Sequence, residues 1–252
     1  MKISLEHADR IYTADLKQGI SIAIPLIPGT TGPNCFYAPF FEAQPVRAGT
    51  FVGSIEEGGP VNFFNLQINP HGNGTHTECI GHIASGPYFI KDSLTKNHFI
   101  GQLITVWPEK LDNGDRIITA SFMDAVREKD QIEAVIIRTL PNHPDKKSRM
   151  YSGTNPPYFA ADAIARLNQA GVKHLLTDLP SVDREEDEGR LAAHKEFWNY
   201  PENPEVYKTI TELVFIPDEV PDGLYLINIQ TLPIQTDASP SQIILYALNL
   251  MP

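Results

Sequence analysis

Cysteine is scarce in this 252-residue chain, with only Cys35 and Cys79. Two thiols without a CxxC spacing exclude a disulfide-framed secreted scaffold, a zinc ribbon and a thioredoxin-like redox motif. Positive charge is also in short supply: 20 Lys and Arg stand against 31 Asp and Glu, a net charge of −11. Phosphate backbones are bound by cationic surface, so a nucleic-acid groove is not expected. The first 20 residues break their apolar positions with charges and form no signal-peptide core. No apolar run approaches the roughly 20 residues that span a bilayer. A soluble cytoplasmic protein without membrane partners is the expectation. Internal repeats, low-complexity linkers, a Gly-x-Ser-x-Gly nucleophile elbow, a Walker GKS/T and an HExxH helix are all missing.

What is present is a cluster. Of eight histidines, His71, His76 and His82 fall within 12 residues, where even spacing would place about 0.4. Gly72 and Gly74 disfavour a helix there, so a turn leading into an extended segment is expected. In such a segment His76 and Glu78 project to one side, and His71 can fold back over the glycines. One His/His/Glu set supplies three ligands and leaves a position for water, the arrangement of catalytic metal sites. Cys79, pointing opposite to Glu78, is expected to be structural.

The remainder predicts short elements punctuated by 21 prolines. Strands are expected at 21–27, 61–68, 103–107, 134–140, 174–179, 209–216, 223–231 and 242–248. A short helix should begin near Ser121. A clear amphipathic helix over 158–170 places Ala160, Ala163, Ile164 and Leu167 on one stripe and ends at Gly171. Another helix is expected around 187–198, led in by the acidic run 183–189. Residues 28–50 are too rich in Pro and Gly for regular structure. Their Phe36, Tyr37, Phe40 and Phe41 either wall a pocket, meet a partner or plug the loop onto its own core. Late strands without intervening helices favour an α/β fold with a mixed β-sheet and flanking helices, in one domain over 1–252.

Two further residues carry potential chemistry. His194 falls on the inward face of its helix with Leu191 and Trp198. Alternation over 209–216 places Glu212 with Ile210, Val214 and Ile216, a costly position for a carboxylate unless it is paired or metal-bound. Each fits either a buried hydrogen-bonded pair or a second metal position.

The stretch from Gly74 to His82, GTHTECIGH, resembles the HxGTHxDxPxH motif of the cyclase family, which includes bacterial kynurenine formamidases and isatin hydrolases. TDLPSVD at 177–183 is similar to the family's second signature. Ala193-His194 and Thr211-Glu212 are similar to its distal ligand positions, so the resemblance runs from about Ser21 to the C-terminus. Three departures stand out: one extra residue between His71 and His76, Glu78 in place of Asp, and Ile80 in place of Pro. The resemblance implies a swivelling β/β/α-type domain assembled as a homodimer or homotetramer. It also implies one or two divalent ions, Zn or Mn from the N/O donor set. His71, His76 and Glu78 would hold the first, and Glu78, His194 and Glu212 the second. His82 matches the catalytic histidine. The implied activity is metal-dependent hydrolysis of a linear formyl or cyclic amide in a small molecule. The alternatives are a metal-dependent cyclase or lyase acting on another carbonyl substrate, and a non-catalytic binding member of the family.

Overall fold

The segment Ala134–Thr139 is buried along its whole length, and its side chains divide between two cores. Val135 and Ile137 join one apolar cluster, Ala134 and Ile136 another. A strand covered on both faces belongs at the centre of a sheet, and its β-branched run suits it to that place. The computed structural model describes residues 1–126 and 131–251. Its main sheet is built from Ile20–Ser21 (β1), His76–Cys79 (β2), His98–Val106 (β3), Ala134–Thr139 (β4), His174–Thr177 (β5), Thr209–Glu212 (β6), Gly223–Thr231 (β7) and Ala238–Ala247 (β8). The order is β7-β3-β4-β5-β6-β2-β8-β1, and β7 also pairs with β8. Seven strands therefore close into a mixed barrel, with β1 added onto β8. Neighbours from β3 through β6 run parallel, and the other pairings are antiparallel. The α/β mixed-sheet class expected from the sequence is the one observed, and closure removes free sheet edges.

Closure produces two cores. Leu103, Ile136, Leu176, Cys79, Ile227 and Ile243 pack inside the barrel. Ile104, Ile137, Leu175 and Ile210 face outward, onto helix Ala161–Gln169 and helix Ala192–Trp198. The first helix buries Ala163, Ile164 and Leu167 as its periodicity requires. Gly171, at φ +79°, ends it in the left-handed conformation that glycine adopts at least cost. Ala160 falls just before the helix, because Tyr158–Phe159 pairs as a strand with Ile117–Ile118.

Several boundaries differ from expectation. Of 21–27, only Ser21 lies in a strand, followed by a single bridge from Ala23 to Val214; Pro25 has no N–H to continue a ladder. The 61–68 strand shortens to Phe64–Gln67 and pairs with Glu42–Pro45, outside the barrel. The supposedly irregular 28–50 thus contains strand residues, including Arg47–Ala48 paired with Phe51–Val52. The helix near Ser121 is a 3-10 segment, Ala120–Ala125; any continuation over 127–130 lies outside the described residues. The strand at 209–216 stops at Glu212, since Leu213 has φ +54°. That turn reverses the alternation: Ile210 packs outside the barrel, whereas Val214 and Ile216 pack inside. The final long strand starts at Ala238, four residues before the expected 242. An N-terminal hairpin, Lys2–His7 with Arg10–Asp15, is joined by Asn249–Leu250. Among the described residues, no helix is long and apolar enough to cross a membrane.

His174, at the start of β5, is buried with its Nδ1 2.8 Å from Thr209 Oγ1. Burial, reinforced by Lys173 and Lys96, lowers its pKa to about 3. The folded protein keeps this ring neutral while the unfolded chain protonates it near pH 6.5. His174 therefore contributes stability above pH 6.5 that is lost as pH falls toward 3, by at most about 1.4 kcal/mol per pH unit. Urea unfolding of the wild type and His174→Gln between pH 4 and 8 should show a stability difference that shifts in favour of the wild type as pH rises. A pH-independent difference would refute this assignment.

Candidate metal centre

Alternation along β2 sets up the site. Thr77 and Cys79 turn into the barrel, where Thr77 Oγ1 meets Thr211 Oγ1 at 2.8 Å and Ser241 Oγ at 2.9 Å. Cys79 joins the interior core. His76 and Glu78 consequently project from the outer face, both fully buried. Register places Glu212 of β6 directly opposite His76. Asn69 caps the one-turn helix Pro70–Asn73 through Gly72 N at 3.0 Å, and this turn brings His71 back over β2. After the strand, Ile80 buries itself in the outer core and anchors the turn Ile80–His82, leaving His82 at the mouth.

From the opposite side comes helix Ala192–Trp198. The Asp183 carboxylate accepts hydrogen bonds from Ala193 N at 2.7 Å and His194 N at 3.2 Å, capping the helix start. The rest of the acidic run stays in turns, with Asp187 accepting from Gly189 N and Leu191 N, so the expected helix over 187–198 begins only at Ala192. His194 stacks on Trp198 and is buried.

All six residues singled out in the sequence converge. Each of three histidines has one ring nitrogen pinned and the other facing a carboxylate. His76 Nδ1 lies 3.0 Å from the Gly74 carbonyl, so it carries the proton, and Nε2 faces Glu212 Oε2 at 3.4 Å. His194 Nδ1 meets Asp183 Oδ2 at 2.6 Å, and Nε2 faces Glu78 Oε1 at 3.1 Å. His71 Nε2 meets Asp237 Oδ2 at 2.8 Å, and Nδ1 faces Glu78 Oε2 at 3.2 Å. His82 Nδ1 lies 3.8 Å from Glu78 Oε2 and 3.5 Å from Asp237 Oδ2.

The magnitudes separate these contacts into two kinds. Contacts of 2.6–3.0 Å are hydrogen bonds to the pinning groups. The carboxylate-facing pairs are longer, at 3.1–3.4 Å, and the shortest of them, His194 Nε2 to Glu78 Oε1, is still within hydrogen-bond range. Two donors each about 2.0–2.1 Å from a tetrahedral ion stand about 3.3 Å apart. A neutral imidazole lone pair aimed at a carboxylate is repulsive, so either a proton or a metal cation belongs between them. His76 Nε2 and Glu78 Oε2 are buried and make no hydrogen bond, the condition a cation would relieve. The donor set therefore fits a divalent ion. Three groups lie close enough to share one: His71 with His76 and Glu78; Glu78 with His82 and His194; and His71 with His82 and Asp237. Glu78 is common to the first two. Glu212 belongs to none of them; its Oε1 accepts from Val182 N at 2.9 Å while Oε2 attends His76.

The same carboxylates favour positive charge on the rings that face them. Burial opposes charging His194 and His71, but the carboxylates beside them, Asp183 and Glu78 for the first and Asp237 and Glu78 for the second, outweigh it and raise both pKa values to about 10. Glu78 is held well below the carboxylate range: burial acts to raise it, and the surrounding His82, His194 and His71 overcome that. Glu78 therefore stays ionised through positive charge beside it, carried by these imidazoles or by a cation in their place.

Sequence reasoning missed Asp237, which carries no local signal; only the pairing of Ala238 with Glu78 brings it here. Within TDLPSVD, Asp183 belongs to the site, while Asp178 turns away to Thr139 N at 2.9 Å and Lys146 Nζ at 2.8 Å.

The sequence profile of the family described as "Putative cyclase" matches residues 14–184, and the chain belongs to that family. Its fold is shared with a predicted metal-dependent hydrolase from Bacillus stearothermophilus, at 16% identity and TM-score 0.62 over 91% of this chain and 98% of that one. A potential metal-dependent hydrolase with cyclase activity is 18% identical, with TM-score 0.64 over 91% and 97%. Isatin hydrolase A from Ralstonia solanacearum is 12% identical, with TM-score 0.62 over 91% and 92%. No curated protein sequence matches significantly.

Asp183→Ala removes the helix cap and the His194 partner together. It should lower unfolding free energy by about 1–3 kcal/mol, measured by urea denaturation of metal-free protein. An unchanged midpoint would show that Asp183 supports neither.

Proposed function

We propose that this chain is a metal-dependent hydrolase of C–N amide bonds, linear formyl or cyclic, in a small molecule. The observation that carries the reading is the convergence of three pinned histidines and two buried carboxylates, with their free nitrogens at ligand-to-ligand spacing. His71, His76 and Glu78 would hold one ion and Glu78 with His194 a second; Glu212, expected from the resemblance at the second position, faces His76 instead and would join from that side. Oxygen and imidazole donors without a thiolate suit Zn²⁺ or Mn²⁺. When bound, such an ion supplies Lewis acidity at the substrate carbonyl and lowers the pKa of water from 15.7 toward about 7.

His82 supplies the proton chemistry. Its side chain is 31% exposed where those of Glu78 and His194 are 0–2% exposed, so it faces incoming substrate. With Nδ1 turned toward Asp237 and Glu78, its Nε2 is free to accept a proton from the attacking water. The same nitrogen returns that proton to the departing amine nitrogen as the C–N bond breaks. A cleft of about 310 Å³ beside His71, lined also by Pro39, Gln67, Ile68, Asn69 and Pro70, accommodates a small substrate. The likeness to isatin hydrolase supports a cyclic amide. In the aromatic loop Phe41 is buried, whereas Phe36, Tyr37 and Phe40 are exposed. With exposed Phe63, Phe64 and Leu66 they support assembly as a homodimer or homotetramer.

Elemental analysis of purified protein should find one to two equivalents of Zn or Mn, and a panel of N-formyl aryl amides and cyclic imides should reveal turnover. Failure to take up either ion on incubation would refute the reading. His76→Ala should lose both metal and activity. His82→Asn should keep the metal and lose kcat by about 10²–10⁴-fold; full activity in that variant would remove His82 from the mechanism.

A further inference from the structure

Asp237 occupies the turn between β7 and β8, 166 positions after His71. Its backbone is fixed independently of its side chain: the Asp237 carbonyl accepts from Cys79 N at 2.9 Å, and Ala238 pairs with Glu78. The carboxylate therefore reaches the site by strand register. Its Oδ2 lies 2.8 Å from His71 Nε2 and 3.5 Å from His82 Nδ1. The first distance is that of a charge-assisted hydrogen bond and is shorter than the separation of about 3.3 Å expected for two ligands sharing an ion. The second is too long for a strong hydrogen bond. Asp237 thus acts on His71 first, with His82, whose ring lies 4.4 Å from that of His71, as a neighbour.

We propose that Asp237 is a positioning residue of the metal centre, holding the His71 imidazole with its proton on Nε2 so that the Nδ1 lone pair faces Glu78. This rests on the metal-dependent reading above and adds to it a residue outside the motif. The site repeats one device three times: the Gly74 carbonyl orients His76, Asp183 orients His194 and Asp237 orients His71. An anionic acceptor behind a ligating imidazole fixes ring and tautomer and strengthens the donor nitrogen, and losing it typically weakens metal binding 10- to 100-fold. Asp237 supplies that acceptor for the most exposed of the three, His71, whose side chain is 22% accessible and so most in need of restraint.

The test is titration of metal-stripped protein with Zn²⁺ and with Mn²⁺ against a competing chelator, with ion count at saturation and the melting temperature of the metal-free form. Asp237→Ala should bind the same number of ions as the wild type, about 10- to 100-fold more weakly, with a metal-free melting temperature near the wild-type value. Asp237→Asn, which keeps a neutral acceptor, should lie between the two. In a His71→Ala background, Asp237→Ala should change nothing further, because its effect passes through His71. Wild-type affinity in Asp237→Ala would overturn the proposal, as would an equal loss in the His71→Ala background. One fewer ion at saturation would also overturn it, making Asp237 itself a ligand. A wild type that takes up no ion defeats the metal-dependent reading as a whole, whereas a metal-binding wild type with an indifferent Asp237→Ala defeats only the role of Asp237.

Discussion

A single buried carboxylate, that of Glu78, sets the terms for the rest of the site. It has no access to water, yet it is held ionised by histidines on every side. Isolating such a charge in an apolar setting is costly, so the surroundings must supply positive charge or lose stability. His71 and His194 face its two oxygens from opposite elements. His76 shares its strand, and Glu212 completes the patch from the paired strand. The barrel behind β2 provides the rigidity that keeps these groups from relaxing apart.

That rigidity comes from a division of labour within four residues. Thr77 and Cys79 belong to the closed interior, through a hydroxyl network and an apolar core respectively. His76 and Glu78 belong to the outer face. A slip of one residue in the pairing of β2 would exchange the two sets and place an ionised carboxylate inside the barrel. The placement of His76 and Glu78 and the packing of the barrel therefore enforce the same register. Beyond β2, Ile80 anchors the following turn and leaves His82 at the mouth, so one short segment delivers a buried histidine–carboxylate pair and an accessible histidine.

Chemistry was more legible in the sequence than architecture. Clustered histidines and a period-two acid reveal themselves locally, because side-chain spacing along an extended strand is a covalent fact. His194 and Glu212 were likewise recoverable as polar residues on apolar faces. The boundaries of 21–27 and 209–216 were not. Pro25 ends a ladder that its apolar neighbours would continue, and Leu213 takes a left-handed conformation that its side chain does not advertise. The pairing of Phe64–Gln67 with Glu42–Pro45 outside the barrel depends on long-range partners rather than propensity.

By itself, then, the sequence determined the donor types, the shared face of His76 and Glu78, the mixed α/β class and the acidic, thiol-poor character. Tertiary structure alone decided which nitrogen of each histidine is pinned, that Asp178 turns away while Asp183 caps and orients, and that Asp237 enters at all. The reason is physical. Side-chain alternation is a property of the local backbone, but tautomers and supporting acceptors depend on groups brought together by barrel closure, some more than a hundred residues apart along the chain.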